Sequence, residues 1–304
     1  MRQYILGRLV QLVVVMIGIS VITFCLTYVL GDPSAVLLPM DAPPETRALF
    51  RKEMGLDRPL YEQYWKFAQG ALMGDFGESF VMKKSALALV SERLVATYQL
   101  ALAGLAFGLL VAVPLGTLAA YRRGTWIDNF CTMLAVAGQA IPIYWLGLML
   151  MIVFAVQLRW LPASGYGEPA NFVLPTIALG AFLAPITMRL VRSSMIDVLS
   201  QDYIRTARAK GLAGGAVLAG HAFKNAALPV IAVLGLQFGQ LLGGAVVTET
   251  VFSWPGVASF TVSSIANGDY PVVQAAVVIL AATISVVNLS VDVLIGYLDP
   301  RIRQ

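Results

Sequence analysis

Six apolar runs, each about as long as a bilayer is thick, decide what this 304-residue chain can become. A hydrocarbon core of about 30 Å takes roughly 20 helical residues, because within lipid every backbone N–H and C=O has to be bonded inside its own segment. The runs cover 9–30, 96–121, 130–156, 172–191, 228–247 and 275–297. The first exceeds the roughly 7–15 residues of a signal-peptide core and no A-x-A site follows it, so it reads as an uncleaved anchor. Only 12% of residues are charged, where a soluble domain has roughly 25%, and 58% are hydrophobic. An ordinary cytosolic enzyme, a disordered chain and a nucleic-acid-binding module are thereby excluded. An all-α membrane protein with six transmembrane helices is expected.

Charge sets the orientation. With both termini on one side, 12 of the 21 basic residues fall there: Arg2, Arg8, Arg122, Arg123, Arg189, Arg192, Arg205, Arg208, Lys210, Lys224, Arg301 and Arg303. Eight more sit in the loop 31–95, and Arg159 stands alone in a short segment of the opposite side. Short loops obey the positive-inside rule and long ones escape it. Both termini are therefore read as cytoplasmic.

The chain divides into a first transmembrane helix (1–30), an extracytoplasmic helical loop (31–95) and a five-helix remainder (96–304) with a long cytoplasmic loop at 192–229. In the outer loop, residues 44–54 read as a short helix, with Pro44 at its start and Gly55 past its end. Asp57 is placed to cap a second helix carrying Tyr61, Tyr64, Trp65 and Phe67, and Gly74-Asp75-Phe76-Gly77 reads as a turn. These aromatics either sit at headgroup level or form a small satellite core.

Small residues recur every four positions in two runs: Gly104, Gly108, Ala112 and Gly116 in the second, Gly235, Gly239 and Gly243 in the fifth. They let backbones approach where lipid supplies no hydrophobic drive. Such stripes either hold helices together or slide during a conformational cycle, and they are the residues from which a path through the bundle is guessed. Pro114, Pro142 and Pro185 predict kinks.

Much familiar chemistry is missing from the sequence. No Gly-Lys dipeptide occurs, so there is no phosphate loop. There is no G-x-S-x-G elbow, and His221 is the lone histidine, which argues against a hydrolase and a His-cluster metal site. Cys25 and Cys131 lie in apolar runs, where neither a disulfide framework nor a metal site is expected. Only Glu249 and Asp292 come near the spans, toward helix ends where a carboxylate reaches water. An ion-coupled carrier therefore lacks its usual buried charges, and an energy source outside the chain is expected.

The loop 192–229 is the most informative stretch. Helix formers run to Gly211, which stops the helix. A short amphipathic helix over 215–225, with Val217, Leu218 and Phe223 on one side, precedes Pro229, which is expected to open the fifth span. That outline suits contact with a soluble partner or, alternatively, with the lipid surface.

Tyr203-Ile-Arg205-Thr206-Ala207-Arg-Ala209-Lys210-Gly211, followed by Lys224-Asn225-Ala and Leu-Pro229, resembles the cytoplasmic loop of binding-protein-dependent ABC importer permeases of the dipeptide/oligopeptide/nickel branch. The resemblance spans essentially the whole chain. It continues through Gly31-Asp32-Pro33, Gly55-Leu56-Asp57-Arg58-Pro59-Leu60, Gly74 to Gly77, Arg189 to Ser194, Phe252-Ser-Trp-Pro-Gly256, Asp269-Tyr-Pro271 and Asp299-Pro-Arg-Ile-Arg303.

The resemblance implies a type I ABC importer transmembrane domain in the bacterial inner membrane, a permease subunit and not an enzyme. Its implied cargo is a peptide (dipeptide, oligopeptide or glutathione-like), with nickel chelates, opines and oligosaccharides as the range of relatives. Implied partners are a second homologous permease, two ATPase subunits that hold ATP and Mg, and an extracytoplasmic solute-binding protein, with no cofactor on this chain. The loop from Tyr203 to Pro229 would couple to the ATPase, with Ala207 and Gly211 at the small positions and His221 to Pro229, Asn225 included, closing it. Arg205 stands where the motif's glutamate is expected. Gly214, Gly215 and Gly220 each weaken the docking helix by about 1 kcal/mol relative to Ala, so it is expected to gain order from its partner. The outer loop and 252–270 are the expected contact for the binding protein.

Overall fold

The structure, a computed structural model, describes residues 2–30, 38, 42–53 and 55–298. Gly31-Asp32-Pro33, Met54 and Asp299 to Arg303 lie outside the described residues. In chain order the helices are α1 (Arg2–Leu30), α2 (Pro44–Glu53), α3 (Leu60–Met73), α4 (Ala86–Tyr121), α5 (Trp126–Ala140) and α6 (Ile143–Gln157). They continue as α7 (Pro169–Leu199), α8 (Asp202–Ala209), α9 (Gly214–Val251), α10 (Val257–Ala266) and α11 (Tyr270–Leu298). Five of these are long and apolar enough to cross a membrane, and α5 with α6 forms a further pair bent by 97°.

The bent pair corrects the expectation of a kink at Pro142. A proline drives the preceding residue out of the helical region, and Ile141 is extended at φ −81, ψ 119. The helix therefore breaks and restarts. The pair still crosses once, because it runs antiparallel to α7 along most of that helix. Asp128, in the first turn of α5, bonds Arg192; Cys131 and Ala135 pack on Met188 and Ala184; Gly138 meets Pro185; Met151 and Phe154 pack on Leu174. From Arg192 to Leu174 is about 27 Å of helix at 1.5 Å per residue, close to the hydrocarbon thickness. Counting the pair as one gives six crossings, and only an even count keeps the Arg205, Arg208 and Lys210 cluster on the same side as Arg122 and Arg123.

Two compact units make up the chain. The first comprises residues 98–254 with short stretches of both ends. At its centre is α7, the most buried of the long helices. Gly104 and Gly108 of α4 lie against Leu179, Gly180 and Leu183, and Gly116 lies against Met188 and Val191. The stripe thus packs onto α7. Pro114 and Pro185 stay inside continuous helices, as membrane helices allow when neighbours satisfy the freed carbonyls. Gln237 of α9 donates to Thr187 Oγ1 at 3.0 Å, a buried polar tie between α9 and α7. Phe252 and Trp254 are fully buried, Trp254 edge-on to Tyr166 and Phe172 with ring centroids 4.9 and 4.6 Å away.

The second unit comprises residues 6–97 and 255–286. Phe24 of α1 contacts Tyr64 and Phe67 of α3, and Phe67 contacts Phe76, while Tyr61 and Trp65 stay exposed. The aromatic set is thus split between a satellite core and the surface. Gly74 ends α3 in the left-handed conformation, φ 77. Asp57 does not cap α3, whose start follows Pro59 without a side-chain cap. Ser79 Oγ and the Phe80 N–H both donate to the buried Asp269 carboxylate, at 2.5 and 2.9 Å, and the Val257 N–H donates to Thr97 Oγ1 at 2.8 Å. These bonds pin the 74–85 turn and the start of α10.

Candidate coupling and pathway site

The loop expected to contact a partner is built on the inner ends of α7 and α9. Beyond Val191, α7 continues eight residues to Leu199, and α8 follows after a short break. Ile204 and Ala207 turn inward and join a core with Val191, Met195, Val217, Ala222, Ala226 and Val230, against which Leu218 is half-buried. Asn225 Nδ2 donates to the Tyr203 hydroxyl at 2.9 Å and to the His221 carbonyl at 3.3 Å. These contacts hold α8 against the first turns of α9.

The elbow between them is open. Every residue from Arg208 to Ala216 is exposed, including Ala209, Lys210 and Gly211. Tyr203, Arg205, Thr206, His221, Asn225 and Pro229 are exposed as well, so the surface expected to meet a partner is continuous apart from Ala207, Val217 and Leu218, which pack inward. Arg205 pairs with Asp202, at 3.3 Å on the exposed face of α8, where such pairs contribute little. Gly211 has φ 80 with nothing within 4 Å of the position a Cβ would take. It therefore serves conformation alone, as the left-handed residue that turns the chain. Leu212, beside it, is an apolar side chain 41% exposed on this elbow. Sequence reasoning passed over Leu212, although an apolar residue directly after a helix-stopping glycine was a readable signal.

Two expectations need correction here. The element after the elbow is not a separate docking helix, and Pro229 does not open the fifth span. From Gly214 to Val251 the helix is continuous, with a wide π-type turn over Val217–Ala222 and Pro229 inside it. The proline ring removes one backbone bond, to the carbonyl four residues back, and the helix continues through it. Glu249, placed by sequence where it would reach water, is completely buried.

The second small-residue stripe is uneven. Gly235 lies against Asn288 of α11 so closely that a Cβ would sit 3.2 Å from its Cα, Gly239 is half-buried, and Gly243 faces open space. The exposed side of α9 carries Pro229, Ala232, Leu236, Gln240 and Gly243, spaced three and four apart and so on one face. Gln240 was not singled out from sequence, although an amide in the middle of an apolar run is itself a signal.

At the inner end, Arg192 Nε and Nη2 donate to the two Asp128 oxygens at 2.6 and 2.8 Å, and the Gly124 N–H adds a third bond at 3.0 Å. Asp128 is 5% exposed and Arg192 29%. The pair ties α5 to the stretch of α7 that leads into the elbow. Asp128→Asn is expected to cost about 2 kcal/mol, the scale of a hydrogen bond to a charged group, and to lower the melting temperature of the purified assembly. Exchanging the two, D128R with R192D, should recover part of that loss; a melting temperature unchanged by Asp128→Asn would contradict the pair. Among the described residues no three His, Cys, Asp or Glu side chains converge as a metal site would require.

This arrangement, an all-helical bundle with an exposed cytoplasmic elbow, is that of a membrane permease subunit. The chain belongs to the binding-protein-dependent transport system inner membrane component family, whose model matches residues 112–304, with the N-terminal model of the same component matching 1–101. It is thus the permease subunit of an ABC importer, a multi-pass protein of the inner membrane. It is 39% identical over 304 residues to the glutathione transport system permease protein GsiC of Salmonella paratyphi A and 38% identical to that of Escherichia coli (strain K12), covering 100% of this chain and 99% of each relative. A chain of the MetNI methionine ABC transporter, solved in inward-facing conformations, shares the fold with a TM-score of 0.61 at 16% identity, over 70% of this chain and 97% of that one.

Proposed function

We propose that this permease forms half of a translocation path for short peptides, with glutathione-like tripeptides foremost. The observation that carries the reading is the end-to-end identity with permeases named for glutathione transport. In this reading a second homologous permease completes the path, a soluble binding protein delivers solute to the outer face, and two ATPase subunits with their ATP and Mg dock on the elbow. Closure of the ATPase pair pushes Gly211 to Ala216, and because α9 is one helix the displacement reaches its far end at Val251. The two-state change this requires is a switch between inward- and outward-facing bundles. The test is a binding screen of the cognate receptor, followed by ATP-driven uptake into proteoliposomes. Glutathione and di- to tripeptides should bind and be imported; selective binding of a nickel chelate, an opine or an oligosaccharide would replace the substrate. Uphill accumulation by vesicles holding this chain alone would overturn the importer reading.

The face of α9 that carries Gln240 supports a place for the path. A side-chain amide turned to hydrocarbon loses its hydrogen bonds, so this face suits a polar path or the partner permease better than lipid. Gln240→Leu is expected to lower uptake about tenfold, the order of one lost polar contact, with the amount of assembled complex unchanged. Undiminished uptake would place the face against lipid.

A further inference from the structure

We propose that an open cavity at the inner ends of α4 and α7 binds a phosphate-bearing anion, the headgroup of an anionic phospholipid. The cavity, about 720 Å³, lies between the end of α4, the last turn of α7 and the elbow after α8. Three guanidinium groups line it, those of Arg122, Arg123 and Arg208, over an apolar floor of Ile196, Leu199 and Leu212. No acidic side chain lines it. Asp128 is held in a two-point pair by Arg192 and also acts electrostatically on Arg123 from beside the cavity, and Asp202 pairs with Arg205 on the exposed face of α8. Three planar donors with no carboxylate among the lining residues fit the oxygens of a phosphate, which guanidinium binds in a bidentate fork.

Position selects the lipid. Arg122 and Arg123 follow directly on Tyr121, the last residue of a membrane-length helix, on the side where basic residues accumulate and lipid phosphates lie. Three residues further on, Trp126 begins an exposed face of α5 that continues through Phe130 and Met133, 75%, 52% and 62% exposed. That face gives acyl chains a surface next to the cavity, and an exposed tryptophan at a span end is an interface anchor. Gly214 forms part of the wall, with the Tyr121 hydroxyl 2.9 Å from where its Cβ would be. The bound headgroup therefore touches both a membrane helix and the base of α9. The proposal rests on this end of the bundle lying at the inner face and is independent of which solute is carried.

The purified assembly, stripped of lipid in detergent, is titrated with dioleoyl-phosphatidylglycerol, dioleoyl-phosphatidylcholine and inorganic phosphate, and bound species are counted by native mass spectrometry. Phosphatidylglycerol should bind saturably and more tightly than phosphatidylcholine. The triple change R122Q/R123Q/R208Q should weaken it at least about tenfold, given the contribution of each basic residue near a lipid surface. R122K/R123K/R208K, which keeps the charge and the topology, should fall between the two and serves if the glutamine variant does not assemble. Equal binding of the two lipids, or equal phosphatidylglycerol binding by wild type and both variants, overturns the proposal. Inorganic phosphate bound at these arginines with no lipid preference overturns the bilayer as its source. Arginine protection from a guanidinium-modifying reagent that vanishes when the ATPase subunits are removed, and not when lipid is removed, assigns them to a protein carboxylate and overturns it as well. Binding is read without transport, so failure of the importer reading leaves this result interpretable.

Discussion

Gly211→Val is expected to leave the permease inserted and assembled while uptake falls at least about tenfold and basal ATP hydrolysis continues. The substitution meets no neighbour, since nothing lies within 4 Å of the new Cβ. What it changes is the backbone: at φ 80 a side chain with a Cβ costs about 1–2 kcal/mol, and a β-branched one fits worst. An exposed elbow with few contacts relieves that strain by moving, so Lys210, Leu212 and Ala213 leave the positions a partner meets. Asparagine tolerates the left-handed region, so a series should rank glycine, asparagine, alanine and valine in falling uptake. Transport and nucleotide hydrolysis measured together in proteoliposomes separate uncoupling from misfolding. Normal uptake by the valine variant would remove the elbow from the coupling path.

Gly116→Val acts in the opposite way, on folding. A Cβ there would lie 2.6 Å from the Met188 carbonyl oxygen and 2.8 Å from Val191 Cβ. The first of these is backbone of a buried helix and cannot rotate aside. Overpacking of this kind costs about 3 kcal/mol, and since native stability is only about 5–15 kcal/mol, little assembled complex should survive in membranes. Gly243→Ala, which meets nothing within 4 Å, is the matched control and should melt with the wild type. A Gly116→Val complex of normal abundance and melting temperature would show that α4 and α7 are not in contact there.

The membrane spans were readable because lipid forces every crossing to be long, apolar and helical, so length alone located them. Their ends were not, because α4 begins ten residues before its run and α7 ends eight after it, where buried contacts replace lipid as the reason to stay helical. Pro142 and Pro229 show the limit of local rules. One breaks its helix and the other rides inside it, and the difference lies in what surrounds them rather than in the ring. The Asp128–Arg192 pair joins residues 64 apart in sequence, and no local pattern marks such a partner. Phe252-Ser-Trp254 was recognised as a motif, but the packing of its two rings, both buried, was not legible. Ser253, between them, is left-handed at φ 51, a conformation that no residue pattern at this position announces. Within the loop 192–229, the outward residues followed from charge, whereas the inward turn of Ala207 and Val217 depended on the fold of α8 against α9.

The unbroken course of α9 has a geometric consequence. From the Gly235–Asn288 contact the rod extends about 32 Å to Gly214 and about 24 Å to Val251 at 1.5 Å per residue. Pivoting by about 10° on that fulcrum would carry the cytoplasmic tip about 6 Å one way and the outer tip about 4 Å the other. In the proposed transport cycle a single lever of this kind would narrow one mouth of the path as it widens the other, so the two gates would need no separate drive.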